Sequence, residues 1–458
     1  MNKPHIPFIM LVVIALGYSL PAADTKPNIV FIFADDWGWG DLSCHGHPSI
    51  ITPNLDRLAQ EGTDFQLFTV ASGVCSPSRA AILTGQYPSR FSIHGHFATV
   101  ESHVQRGMPD WLDPKTVLLP RLLQENGYAT AHFGKWHLSN TTVPDSPLPS
   151  DYGYDSYGAF NCSGPQMPVH DDVKNSIAFI EKSHATGKPF FINLWVHEPH
   201  TPHYPQPEYL AQFKALPEAD QIYAAVLAHA DARIGELLAM LERLNISKNT
   251  LVMFSSDNGP ENTGSPAKRL TEDESTGPGF GTFASVGTTG GHRGRKRSLL
   301  QGGIGVPFFA RWPGKIPAGK IDTTTPLTAV DLLPTLCAIA QAKPPADYSS
   351  DGIDQTAALF GTTTTIRNKP TFWQWQTPSK NGDTWPMLAV RDGKWKMIVG
   401  KDFTHIELFH FPDDGFEKTN VSEKEPNEVK RLTDLLNNWT ATLPQNAATN
   451  CFSSERRK

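Results

Sequence analysis

The sequence predicts an α/β protein: a large mixed, mainly parallel sheet between helices, followed by a smaller C-terminal antiparallel sheet with a closing helix. Three observations predict it. Short apolar runs of strand length alternate with helical patterns over most of the chain. Four of those runs are followed at once by polar residues of a kind that does chemistry. Beyond about Thr365 the pattern changes to brief alternating strands separated by turn residues.

In chain order, the opening residues read as an export signal. Lys3 gives a weakly basic start, Pro7 to Leu20 form an apolar run, and Pro21-Ala22-Ala23 offers small residues for cleavage. The run is short for a bilayer span, and no later stretch looks membrane-spanning. The expectation is a signal peptide over 1–23, a catalytic domain over 24–364 and a β-rich subdomain over 365–458, in a protein that works in the periplasm or outside the cell.

The four runs are Asn28 to Phe33, Tyr128 to Phe133, Phe190 to Val196 and Leu251 to Phe254. Asp35 and Asp36 follow the first, Lys135 and His137 the second, His197 and His200 the third, and Asp257 and Asn258 the fourth. In an open α/β sheet ligands bind beyond the carboxyl ends of the strands, so these sets are expected to converge on one crevice. Before the fourth run, Asp220 to Leu244 carries Ile222, Val226, Ile234, Leu237, Leu238 and Leu241 at roughly helical spacing, a core-facing stripe. The Pro-, Gly- and Thr-rich stretch from Gly259 to Gly291 reads as a long loop near the crevice, either a lid or recognition loop or an ordinary insertion. Met387 to Val390, Trp395 to Val399 and Ile406 to Phe409, with a turn at Asp392-Gly393, read as an antiparallel meander, and Pro426 to Leu443 as an amphipathic helix.

Composition excludes some classes. A chain of 458 residues with 39% hydrophobic and 19% charged residues has the make-up of a soluble globular protein with a large core. Its formal net charge of -6 argues against a general nucleic-acid binder, so any anion it handles must be met locally. Five cysteines are too few and too scattered for a disulfide framework, and their odd number leaves at least one unpaired. Cys337, in the apolar run Leu332 to Ala340, reads as a core residue.

Cys75 differs because of its neighbours. In Val74-Cys75-Ser76-Pro77-Ser78-Arg79-Ala80-Ala81-Ile82-Leu83-Thr84-Gly85, Pro77 suits the first turn of a helix and Gly85 its end, so Cys75 is expected at a helix N-terminus, where backbone amides favour anions. Arg79 lies one turn along on the same face.

Cys-x-Pro-x-Arg followed by a small-residue helix and Thr-Gly resembles the signature of the type I sulfatases, of alkaline phosphatase-like fold, in which the cysteine is oxidised to formylglycine. The resemblance extends to Pro27-Asn28-Ile29-Val30 with Ala34-Asp35-Asp36, to Gly134-Lys135-Trp136-His137, to Ser256-Asp257-Asn258-Gly259, and to Gly294-Arg295-Lys296 ahead of Gly302-Gly303. It covers nearly the whole chain beyond the signal, in the family's order. It implies calcium held by Asp35, Asp36, Asp257, Asn258 and an oxygen of modified Cys75, and these oxygen donors suit a hard divalent ion. It also implies a maturation partner, either a formylglycine-generating or an anaerobic sulfatase-maturating enzyme.

In the mechanism the resemblance implies, a hydroxyl of the hydrated aldehyde attacks sulfur and a sulfoenzyme intermediate forms. Lys135, Lys296, the metal and the helix N-terminus stabilise the charge, Arg79 and His137 hold the diol, and His137 takes the second hydroxyl's proton. A histidine protonates the leaving alcohol. In Trp195-Val196-His197-Glu198-Pro199-His200-Thr201-Pro202 two candidates stand close together: the His-x-Pro pattern favours His200 as the acid and leaves His197 lining the sulfate or sugar pocket, with His203 a poorer match. The implied substrate is a sulfated carbohydrate of galactose or amino-sugar type. Gln301 and Gly305 depart from the glutamate and arginine common in the family around the glycine pair.

Trp373-Gln374-Trp375 admits a sugar-stacking reading, against the plainer one of core or interface residues. The cluster His292-Arg293-Gly294-Arg295-Lys296-Arg297 admits a grip on further anionic groups, or solvated charge. Two other functions compete: a phosphatase or phosphodiesterase of the same superfamily, and a non-catalytic glycan-binding relative. The aspartate-asparagine pattern with Cys-x-Pro-x-Arg speaks against the first, and the retention of every assigned position against the second.

Overall fold

Strand β1 (Asn28–Ala34) is buried on both faces, as the centre of a helix-covered parallel sheet requires. The computed structural model describes residues 26–262, 285–362, 367–376, 387–403, 405–411 and 413–457. The expected signal peptide over 1–23 and residues 263–284 of the long loop lie outside the described residues.

The main sheet adds β2 (Thr63–Phe65), β3 (Ala129–Lys135), β4 (Ser156–Phe160), β5 (Phe190–Trp195), β6 (Thr250–Ser256), β7 (Phe308–Arg311) and β8 (Lys320–Asp322), in the order β4-β3-β5-β1-β6-β7-β2-β8. β1 runs parallel to β5 and to β6, and β3 parallel to β4 and β5. β7 is antiparallel to β6 and β2, and β2 is parallel to β8. The four strands expected from sequence are therefore the adjacent block β3-β5-β1-β6. Because they are parallel, their carboxyl ends share one edge, and this brings their polar followers together.

Alternation along β1 builds two core layers. Ile29, Phe31 and Phe33 face one, with the helices Cys75–Thr84, Leu119–Glu125 and Leu332–Ala340; Val30, Ile32 and Ala34 face the other, with Pro53–Gln60, Asp172–Ala185 and Glu218–Arg243. All six apolar residues of the expected stripe in the Glu218–Arg243 helix are buried.

The second sheet, β9 (Thr371–Gln374), β10 (Leu388–Asp392), β11 (Trp395–Val399) and β12 (Ile406–His410), is antiparallel in the order β12-β11-β10-β9. Gly393 turns the β10–β11 hairpin at φ 57°, a conformation glycine adopts without a Cβ penalty. The helix Pro426–Thr440 covers one face through Leu432, Leu436 and Trp439. On the other face Trp373 is 1% exposed, belongs to the main core and donates its Nε1–H to the Val70 carbonyl at 2.7 Å. Trp373 and Trp375 thus serve the interface between the sheets, the plainer of the two readings. All five cysteines are free, and among the described residues no helix is long and apolar enough to cross a membrane.

Candidate active site

Asp35 and Asp36 leave the end of β1, and Asp257 and Asn258 leave the end of β6 beside it. Asp36 takes a left-handed backbone, φ 69°, as does His137 at φ 54° after β3; such strain in non-glycine residues costs about 1 kcal/mol or more and tends to gather at functional sites. Gly134 in β3 has φ 110°, and a Cβ there would stand 1.9 Å from the Trp195 carbonyl oxygen, so only glycine lets β3 and β5 close beneath Lys135. Gly259 meets Gly302 as closely, a Cβ falling 1.8 Å from its carbonyl oxygen, and this ties the segment after β6 to the chain that carries Lys296.

Cys75 is the first residue of the Cys75–Thr84 helix, as expected. Its Sγ lies 3.7 Å from Asp35 Oδ1 and 3.6 Å from Lys135 Nζ. Lys135 also donates to Asp35 Oδ2, and Lys296 donates to Asp36 Oδ2 at 2.6 Å. Arg79, fully buried, donates Nε–H and Nη2–H to Asp257 Oδ2 at 3.0 and 2.6 Å, and its guanidinium lies 4.9 Å from the Trp195 ring centroid. Three carboxylates are thus faced by three cations in a buried pocket. A charge balance of this kind makes such burial tolerable.

The donor atoms of Asp35, Asp36, Cys75 and His200 lie within 4.8 Å of one another. Asp257 is placed differently. Its Oδ1 accepts from the Asp36 backbone N–H at 3.2 Å while its Oδ2 serves Arg79, so of the expected ligands it has most of its capacity spent on protein partners. Asn258 donates Nδ2–H to Asp36 Oδ1 at 2.7 Å and to the Gly259 carbonyl at 2.8 Å, and its Oδ1 is buried without a partner. A buried acceptor of this kind, beside convergent carboxylates, fits a hard cation.

Electrostatics separates the groups by role. Burial pushes the Cys75 thiol up to about 12 despite the nearby Lys135, so the unmodified side chain is a neutral thiol, a poor partner for a hard ion. Burial opposes ionisation of Asp35 and Asp36, but Lys135 and Arg79 hold the first, and Lys296 and His200 the second, below the usual carboxylate range. Burial raises Asp257 to about 7, helped by the neighbouring Asp35 charge and opposed by Arg79. His137 and His200 are both driven well below the ordinary imidazole value, by burial first and then by Lys135.

His137 Nε2 bonds the Phe97 carbonyl at 2.9 Å, and its Nδ1 is buried without a partner. His197 Nε2 is taken by the Pro202 carbonyl at 3.0 Å. His200 Nε2 stands 3.9 Å from Asp36 Oδ2, with the ring 28% exposed, and the two histidine rings are 5.7 Å apart. Every residue expected at the crevice, Asp35, Asp36, Cys75, Arg79, Lys135, His137, His197, His200, Asp257, Asn258 and Lys296, is therefore in or beside one cluster.

Two features were passed over in the sequence. His96 lies 6.2 Å from the His137 ring and close enough to Lys296 and Lys135 to feel both charges, with burial holding it down to about 3. The only signal was the pair His94 and His96 shortly after the Cys75 motif. Glu198, between the two expected histidines, accepts both its bonds to Arg233 at 2.7 Å and lends its carbonyl to the Asp35 N–H at 3.3 Å. Its partner is in a distant helix, so periodicity gave no sign of it.

Comparison with known proteins meets this geometry. The family model described as Sulfatase matches residues 27–342. The N-acetylgalactosamine-6-sulfatase of Canis lupus familiaris is 31% identical over 428 residues, 85% of this chain and 74% of that protein. Arylsulfatase A of Bos taurus is 31% identical over 426 residues, 84% and 76% of the two chains. Among solved structures, Ps i-CgsB in complex with k-i-k-neocarrahexaose superposes with a TM-score of 0.77 at 26% identity, over 93% of this chain and 96% of that one.

Proposed function

The chain belongs to the sulfatase family, and from that premise we propose that it hydrolyses sulfate esters of a saccharide, of galactose or amino-sugar type, through formylglycine at position 75 and a calcium ion. The observation that carries the reading is the convergence of Asp35, Asp36, Cys75 and His200 donor atoms within 4.8 Å, next to the unpartnered Asn258 oxygen. The related N-acetylgalactosamine-6-sulfatases and the k-i-k-neocarrahexaose complex of Ps i-CgsB support the substrate class. The export signal read in the sequence supports work in the periplasm or outside the cell, after maturation by a formylglycine-forming enzyme.

Asp35, Asp36, Asp257, Asn258 and the modified residue 75 would hold the ion, which would supply Lewis-acid polarisation of a sulfuryl oxygen. Formylglycine would supply an oxygen nucleophile as its hydrate, accept the sulfuryl group and give it up again.

The remaining roles fall to this chain's own side chains. Lys135 and Lys296 neutralise the carboxylates in the structure; when a sulfate ester enters, the same ammonium groups can turn to its oxygens and stabilise charge as it develops. Arg79 holds Asp257 and braces the helix behind residue 75. The buried, unpartnered Nδ1 of His137 suits it to accept the proton whose loss releases sulfate. His200 donates a proton to the leaving alcohol, and His197, fixed by Pro202, shapes the pocket wall.

The test is to measure sulfate and phosphate release by the matured protein from saccharide sulfates and the matching phosphates. Sulfate release dominating supports the reading; preferential phosphate release, or neither, overturns it.

A further inference from the structure

A second concave site lies away from the catalytic cluster, in the seam between the two sheets. It is a cleft of about 460 Å³, with walls from the segments after β2 and β8 on one side and from β9 and the β10–β11 hairpin on the other. It shares no residue with the catalytic cluster. Trp373 and Phe411, both in the main core, form its apolar floor.

Its rim is cationic. Arg367, Lys369, Arg391 and Lys394 line it, and no aspartate or glutamate is among the described lining residues, in a chain whose formal net charge is -6. Two of the four cations are spoken for: Arg367 Nη1 binds both Asp331 oxygens at 2.6 Å, and Lys369 Nζ donates to the Ser350 carbonyl at 2.8 Å. Arg391 is not. Its guanidinium lies 4.8 Å from the Phe411 ring centroid, its Nε is buried with no acceptor, and among the described residues it forms no ion pair. Burial and the neighbouring Arg367 lower it to about 10, against the pull of the Glu417 charge, which Lys396 already pairs. A half-buried guanidinium without a counter-ion is unfavourable, and an anion in the cleft would relieve it. Lys394, exposed on the hairpin turn, stands at the mouth, where it can meet the same anion.

Volume and charge together select the ligand class. The space suits one or two sugar rings, and the unpaired guanidinium suits a sulfate or carboxylate group. We propose that this cleft is a non-catalytic binding site for an anionic saccharide unit of a polymeric substrate, with Arg391 and Lys394 receiving its acidic group. The proposal rests on the sulfated-saccharide reading above. Held there, a long chain stays tethered to the molecule that carries the catalytic crevice, whereas a monosaccharide gains nothing.

The experiment uses the full chain carrying Cys75→Ala, which cannot be matured. It is titrated calorimetrically with k-i-k-neocarrahexaose, with a sulfated hexasaccharide containing N-acetylgalactosamine, and with the desulfated form of each. At least one sulfated probe is expected to bind at two sites per chain and its desulfated form at no more than one. Arg391→Ala with Lys394→Glu should weaken the second site about tenfold or more. Lys394→Glu alone, on an exposed turn where it does not threaten the fold, should weaken it by a smaller factor. In the matured enzyme the double variant should raise KM for the polymer and leave sulfate release from a monosaccharide sulfate unchanged. Single-site binding of both sulfated probes, or two sites indifferent to the substitutions, overturns the proposal. If the matured protein releases no sulfate from any saccharide, the catalytic reading falls, while the titration still decides the cleft.

Discussion

Asn258 gives its Nδ2–H to Asp36 Oδ1 at 2.7 Å while its own Oδ1 stays buried with nothing to bond. Leaving such an acceptor unsatisfied costs about 1–3 kcal/mol, which a bound cation would remove. Calcium is therefore expected to bind the purified protein and raise its Tm, and a chelator to abolish sulfate release. Asn258→Ala and Asp257→Ala should each weaken calcium binding by at least about tenfold in a direct titration. Undiminished affinity in both variants would place the ion elsewhere.

Cys75 offers a second test. Its thiol is buried, pushed up to about 12 and faces a carboxylate, so as it stands it is neither a nucleophile nor a good ligand for a hard ion. Peptide mass spectrometry of active protein should find the aldehyde at position 75, and the active fraction should track the converted fraction across preparations. Full activity with an intact thiol would sink the mechanism.

How much of this was legible in the sequence depended on the range of the physics involved. The block β3-β5-β1-β6 could be read because buried parallel strands are near-continuous apolar runs, and the residues after them followed from sheet geometry. β2 and β8, at three residues each, are too short to show a period, and they join the sheet only through pairing with β7 and each other. At the site, residues that leave strand ends were accessible; support that crosses the fold was not. Arg233 reaches Glu198 from a helix whose visible pattern is its apolar stripe, and Arg391 gains meaning only when β10 is packed against the main sheet.

Asp41 provides a pH test away from the carboxylates of the candidate site. It is buried and accepts bonds from the Gly38 and Thr288 N–H groups and from the Tyr223 hydroxyl, but burial outweighs these donors and raises it to about 7 from 3.8. Between those values the folded chain keeps a proton that the unfolded chain has lost, so stability contributed by this group falls as pH rises from about 4 to about 7. The ceiling on the effect is about 4 kcal/mol. Denaturant melts at pH 5 and pH 7 should show a loss in the native protein that Asp41→Asn reduces, whatever the variant's absolute stability. An unchanged slope in the variant would show that burial does not control this group.

The assignment of the general acid rests on two rings 5.7 Å apart. His197 has its Nε2 committed to the Pro202 carbonyl, whereas His200 presents Nε2 toward Asp36 at 3.9 Å and keeps 28% of its side chain exposed at the crevice. Burial and the two lysines disfavour a proton on His200, and an entering sulfate ester offsets those lysine charges. An alkyl sugar sulfate has a strongly basic leaving oxygen and needs that proton; an aryl sulfate departs without it. His200→Ala should therefore lose about a hundred- to ten-thousand-fold in kcat on the sugar sulfate and far less on the aryl sulfate, the usual range for general acid catalysis. His197→Ala should raise KM for both substrates to a similar degree, because a wall residue binds ground and transition states alike. If the leaving-group contrast appears in His197→Ala and not in His200→Ala, the two roles are exchanged.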